Sequence, residues 1–155
     1  MPIKVLFVCL GNICRSPMAE GVFQSLVKES GLEDKFIVDS AGTSSWHVGE
    51  KAHHGTRRVL AAHGVAYSGR SRQISARDKS DSWDYIVAMD QSNLREIRRN
   101  LGDHPELHLL LDFASHSGLR DVPDPYYNGK FEDVYALVEE GSKGLLAHIR
   151  RENGL

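Results

Sequence analysis

The sequence is short of several things, and each shortage closes off a class of protein. Only two of its 155 residues are cysteine, too few for the disulfide framework of a small secreted domain, so a reducing, cytoplasmic setting is expected. No apolar run approaches the length a membrane-spanning helix needs, and no basic-then-apolar leader precedes the first hydrophobic segment. No membrane partner is therefore expected. Charge of neither sign dominates: 19 Lys and Arg stand against 21 Asp and Glu, a net charge of −2, which argues against nucleic acid as a partner. Repeats and linker-like stretches are missing too. What is there is a chain 41% hydrophobic, expected to form a single domain over residues 1–155 around one core.

Its apolar segments alternate in type. Lys4 to Val8 is nearly continuous apolar sequence, the pattern of a strand buried on both faces. A helix is predicted from Ser16-Pro17, with proline at its first position, an apolar stripe of Ala19, Val22, Phe23, Leu26 and Val27, and a stop at Gly31. Phe36 to Val38 reads as a second strand and Asp39 to Trp46 as a loop. Gly55 to His63 reads as a helix, and Ser68 to Ser82 as a loop with one short helix. Tyr85 to Met89 is a third strand, followed by a helix that either Asp90 or Ser92 can cap and Gly102 stops. Leu107 to Leu111 makes a fourth strand. Asp121 to Gly129 is too rich in turn formers to be regular, and a last helix runs from about Phe131 towards Arg151. Gly141 and Gly144 weaken that helix, but suit close packing on a sheet.

Strand–helix alternation of this kind predicts an α/β fold: an open, mostly parallel four-stranded sheet with helices on both faces. Such sheets bind ligands beyond the carboxyl ends of their strands. The loops that follow the four strands carry Cys9, Trp46, Asp90 and Asp124, so these four positions are expected to gather at one end.

The segment Val8-Cys9-Leu10-Gly11-Asn12-Ile13-Cys14-Arg15-Ser16-Pro17 joins the first strand to the first helix. Backbone N–H groups at a strand–turn–helix junction carry partial positive charge and make a cradle for an anion. Cys9 opens the cradle and Arg15 closes it. N–H dipoles and a neighbouring cation favour the thiolate form of a cysteine, which is the nucleophilic form. Gly11 permits a tight turn, and Asn12 tolerates left-handed backbone. Ser16 either donates its hydroxyl to the thiolate or caps the helix. The plainer alternative for Cys9 is a small apolar residue at a strand end. The Gly-x-x-x-x-Gly-Lys-Ser/Thr pattern of nucleotide-binding loops is absent.

The run from Val8 to Glu20 resembles the signature of the low-molecular-weight protein tyrosine phosphatases. Asp39-Ser40-Ala41-Gly42-Thr43, Val87-Ala88-Met89-Asp90 and Asp124-Pro125-Tyr126-Tyr127 also match that family, in its order. The resemblance implies a phosphoric monoester hydrolase. Cys9 would attack phosphorus and form a phosphocysteine, and Arg15 with the N–H groups of Leu10 to Ser16 would bind the phosphate oxygens. Asp124 would protonate the leaving phenolate and then activate water. No cofactor or metal is implied. Ile13, Trp46, Tyr126 and Tyr127 would wall a cleft for the ring of phosphotyrosine, making a tyrosine-phosphorylated protein the partner and inorganic phosphate the product and a competitive ligand. Ser40, Arg72 and Asp90 would support the loop, whereas Asp121 reads as a solvated charge.

Arginine phosphatases resemble this loop but carry Thr where this chain has Ile13, which counts against phosphoarginine. Arsenate reductases share the loop but need cysteines downstream, and none follows Cys14. A non-catalytic phosphopeptide-binding module would not need both Cys9 and Asp124. Cys14 would form a reversible disulfide with Cys9 that guards it against over-oxidation. The eight histidines show no ligand spacing along the chain, so no metal site is expected.

Overall fold

Ile3–Cys9 forms β1, and the two-residue period of a strand divides its apolar run between two cores. Val5, Phe7 and Cys9 enter one cluster, while Leu6 and Val8 enter the other. In the computed structural model, which describes residues 1–80 and 83–155, β1 lies between β2 (Phe36–Gly42) and β3 (Tyr85–Ala88), with β4 (Leu107–Leu109) beyond β3. All three pairings are parallel. The strand order β2-β1-β3-β4 reverses direction at β1, so the loop after β1 faces the crevice where ligands of such sheets bind.

The helices in chain order are α1 (Arg15–Glu29), α2 (His54–Ala62), α3 (Ala76–Ser80), α4 (Gln91–Leu101), α5 (Pro125–Asn128) and α6 (Phe131–Asn153). α1, α2 and α6 cover the Phe7 face, where Phe7, Phe23 and Phe36 meet edge to face at centroid separations of 5.5 and 5.7 Å. α4 covers the opposite face through Ile97 and Leu101. The α/β sheet with helices on both faces is thus as expected, and it is parallel throughout. Among the described residues, no helix is long and apolar enough to cross a membrane.

Several boundaries differ from the sequence reading, each for a local reason. Asp39 to Gly42 belongs to β2, because the β1 ladder carries on to the pair Cys9–Gly42. α1 begins at Arg15, so Pro17 is its third residue; N–H groups of the first turn have no intrahelical partner, and proline is tolerated there as well. Asp90, not Ser92, caps α4, in a reciprocal box with Asn93. β4 ends at Leu109 and the chain turns through a 3-10 segment, Leu110–Phe113. Gly141 and Gly144 pack on that segment and not on the sheet: a Cβ at Gly144 would overlap the Phe113 carbonyl oxygen. The supposedly irregular loop holds the single turn of α5, where the Asp124 side chain accepts from Tyr126 N–H and Pro125 takes the first helical position. Among the described residues of the Ser68–Ser82 stretch there is one short helix, α3; residues 81 and 82 of that stretch lie outside the described residues.

Candidate active site

The loop after β1 is fastened by its carbonyl oxygens. Leu10 C=O accepts from the N–H and hydroxyl of Ser44 (3.0 and 3.1 Å), Gly11 C=O from the Ser71 hydroxyl (2.9 Å), Ile13 C=O from His53 N–H (2.7 Å) and Cys14 C=O from the Thr56 hydroxyl (3.1 Å). A planar trans peptide sends its C=O and N–H in opposite directions. Carbonyls pulled outward therefore turn the next N–H groups, those of Gly11, Asn12, Cys14 and Arg15, inward. Asn12 N–H reaches Cys9 Sγ at 3.3 Å, and Asn12 has the left-handed φ of 55° anticipated for it. Gly11 keeps an ordinary φ. Its lack of a side chain matters through proximity to the His47 ring, and Gly42 likewise must be bare because a Cβ there would lie 2.7 Å from Leu10 C=O.

Beneath the loop is a directed chain of hydrogen bonds. Arg72 N–H donates to Asn12 Oδ1 (3.0 Å), which fixes the Asn12 amide so that Nδ2 donates to Ser16 Oγ (2.8 Å) and Ser40 Oγ (2.9 Å). Ser16 Oγ, already an acceptor, has one hydrogen of its own, with Cys9 Sγ at 3.0 Å and the more distant Ala41 C=O at 3.4 Å to receive it. Of the two roles weighed for Ser16, the contact with sulfur is made. The residue before α1 is Cys14, and no side chain caps that helix. Ser40 passes its hydrogen to Glu20 Oε1 (2.6 Å), which also accepts from Tyr67 (3.1 Å). Burial pushes the Glu20 carboxyl up to about 7, against the opposing effect of its Ser40 hydrogen bond. Glu20 had no assigned role in the sequence; its place on α1 one turn beyond Ser16 is the only signal that could have suggested one.

Arg15 is 3% exposed, and a charge so deep needs partners. Nη1 donates to Asp90 Oδ2 (2.6 Å) and Val122 C=O (3.0 Å), and Nη2 lies 3.6 Å from Asp124 Oδ2. Burial acts against its charge, but Cys9 and the carboxylates of Asp90 and Asp124 outweigh that and hold the guanidinium above its ordinary value. Nε, closed to solvent, has no hydrogen-bond partner. With Nη1 engaged by Asp90 and Val122, the Nε–Nη2 edge, whose contact with Asp124 is the longer one, is the side of the fork that can take two oxyanion oxygens. Asp90, considered as a helix cap and as a support for the loop, caps α4 and pairs with Arg15. The Arg72 side chain instead pairs with Asp39 (3.0 Å) and Asp78 (2.9 Å), supporting the loop through its backbone only. Asp121 is more than a solvated charge, since it accepts from the Gln91 backbone N–H at 2.9 Å.

These groups floor a cleft of about 150 Å³ whose lining includes Cys9, Ile13, Cys14, Arg15 and Asp124. Trp46, Tyr126 and Tyr127 line it too and form an exposed rim, with Trp46 70% and Tyr127 78% exposed. His47 also lines it and was not anticipated; its position next to Trp46 in the loop after β2 was the available hint. The two cysteines are unlinked thiols, and burial, followed by the charge of Cys9, pushes Cys14 up to about 12.

Comparison with known proteins agrees with this geometry. Residues 4–154 match the family described as low molecular weight phosphotyrosine protein phosphatase. The chain belongs to that family. The low molecular weight protein-tyrosine-phosphatase YfkJ of Bacillus subtilis is 48% identical over 99% of both chains, and its crystal structure superposes with a TM-score of 0.94 over 98% of this chain and 97% of that one. A Drosophila arginine phosphatase is 36% identical, with a TM-score of 0.86 over 96% and 98% of the two chains. As a low-molecular-weight protein-tyrosine-phosphatase, the chain is a hydrolase of phosphoric monoesters.

Proposed function

We propose that this phosphatase hydrolyses phosphotyrosine on cytoplasmic proteins through a phosphocysteine on Cys9. The observation that carries the reading is Arg15 Nε, buried without a hydrogen-bond partner on a guanidinium that lines the same cleft as Cys9 and Asp124. The Cys9 thiolate, accepting from Ser16 and Asn12, attacks phosphorus as the bond to the phenolic oxygen breaks. Charge that develops on the three equatorial oxygens is met by the inward N–H groups and the Arg15 edge. Asp124, at the mouth, gives its proton to the departing phenolate. It then takes a proton from water, which attacks the phosphocysteine and releases inorganic phosphate.

The aromatic rim supports a ring-bearing substrate, because a seryl phosphate is too short to reach the floor from a protein surface. Ile13 is buried in the floor and offers no hydroxyl to a guanidinium, so phosphoarginine is a poor alternative. A binding-only module has no use for an acid beside the nucleophile. Metal-free assay of a phosphotyrosyl peptide, a phosphoseryl peptide and phosphoarginine tests the reading: only the first is turned over quickly, and Cys9→Ser abolishes this. Unchanged turnover in Cys9→Ser refutes it.

Cys14 adds a redox guard to this proposal. Peroxide converts the Cys9 thiolate to a sulfenic acid, and the Cys14 thiol displaces water from it to give a 9–14 disulfide. Peptide mapping after mild peroxide should find that disulfide; sulfinic acid at Cys9 without it overturns the guard.

A further inference from the structure

Far from the cleft, at the amino ends of β3 and β4, three potential metal ligands converge. Glu106 and His108 are two positions apart across the start of β4, and His148 is near the carboxyl end of α6. One ligand atom from each lies within 4.8 Å of the others. His108 Nε2 is 3.1 Å from Glu106 Oε1, and His148 Nε2 is 3.8 Å from the same oxygen. Glu152, one helical turn after His148, brings Oε1 to 3.1 Å from His148 Nε2 and is itself oriented by the Tyr85 hydroxyl at 2.8 Å.

The decisive detail is His148 Nε2. It is closed to solvent and makes no hydrogen bond, although two carboxylate oxygens lie within 4 Å. Glu152 Oε1 is close enough but lacks hydrogen-bond geometry, and Glu106 Oε1 at 3.8 Å is too far for one. Phe113 packs on both imidazoles, at 5.2 Å from His108 and 5.0 Å from His148, and holds the rings in place.

We propose that Glu106, His108 and His148 bind a zinc-class divalent cation, with Glu152 within reach of the fourth position. Two imidazoles and a carboxylate suit Zn²⁺, whereas Ca²⁺ and Mg²⁺ take oxygen ligands and Cu(I) prefers sulfur. A tetrahedral zinc site with bonds of about 2.0–2.1 Å spaces its ligand atoms about 3.4 Å apart, so small side-chain movements complete the set. The ion would clip β4, the short edge strand, to the end of α6. It would have no part in the phosphatase chemistry. His148 lies 40 residues beyond His108 in sequence, which is why the spacing gives no metal motif.

The test is Zn²⁺ titration, by calorimetry and thermal unfolding, of the full chain carrying Cys9→Ser and Cys14→Ser, so that no thiol competes. The expected result is uptake of one equivalent with a dissociation constant of about 10 μM or tighter, and a rise in Tm. In the same background, His148→Ala and Glu106→Gln should each weaken binding about a hundredfold. Glu106→Gln keeps the side chain's shape, so it remains informative if His148→Ala does not fold. No uptake at about 1 mM Zn²⁺, or uptake that neither substitution weakens, overturns the proposal.

Discussion

The floor and the rim of the cleft are built on opposite plans. The floor is buried and polar: Asn12, Arg15, Ser16 and Ser40 are each 3% exposed or less, and the loop carbonyls are tied to three neighbouring segments, at Ser44, at His53 and Thr56, and at Ser71. The rim is exposed and aromatic, and the Tyr126 ring meets those of His47, His53 and Tyr127. A floor held this firmly keeps its donors where charge develops, with no reorganisation left for the reaction itself. The rim can change its residues with little effect on the fold. Chemistry and substrate choice are therefore separable here, and substitutions should reveal it.

The largest effect short of losing the nucleophile is expected for Asp124→Asn. On phosphotyrosine, kcat/KM, which reports the first step alone, should fall by about 10²–10⁴, and by less on p-nitrophenyl phosphate, whose leaving group needs no proton. Equal losses on both substrates would remove Asp124 as the acid. Asp90→Asn should come next. It removes the charge that Arg15 leans on at 2.6 Å, so kcat should drop about 10²-fold and chemical denaturation should show a loss of about 2–3 kcal/mol. An active-site loss with no change in stability would show that Arg15 does not depend on this pair.

Glu20→Gln separates the floor's support from its chemistry. With its carboxyl at about 7 in the fold and 4.5 as the ordinary value, the folded chain holds a proton between these pH values that the unfolded chain has released. Stability from this residue is thus complete below pH 4.5 and is lost as pH rises to about 7, on the order of 3 kcal/mol. Glu20→Gln should gain stability over the wild type as pH rises through that window; a constant difference from pH 4 to 8 would contradict the buried-acid assignment. The smallest effect belongs to the rim. Trp46→Ala should raise KM for a phosphotyrosyl peptide roughly threefold to tenfold and leave kcat and stability nearly unchanged. A kcat loss as large as that of Asp90→Asn would erase the distinction between floor and rim.

Much of this plan was legible in the residues. The apolar run of β1, the left-handed Asn12 and the Cys9–Arg15 spacing are local features, and local chemistry reads them well. The parallel topology then followed from alternation, and with it the convergence of Trp46, Asp90 and Asp124. What stayed hidden depends on tertiary neighbours. Glu20 is a carboxylate on an apolar helix until burial and the Ser40 and Tyr67 hydroxyls give it a role. The length of β2 was set by its partner strand, since Asp39 to Gly42 have little strand propensity of their own. Gly144 was legible as a close approach, but not what it approaches. The Glu106–His108–His148 cluster joins a strand to a helix 40 residues away, and no linear motif carries that information.

The central claim is that Cys9 takes the phosphoryl group while the floor holds it. Rapid quenching of Asp124→Asn during turnover of p-nitrophenyl phosphate, followed by mass spectrometry, tests it directly. The first step then needs no acid while the second lacks its base, so a phosphoryl adduct should accumulate on Cys9. Continued turnover with no adduct, or an adduct on any other residue, would contradict the account.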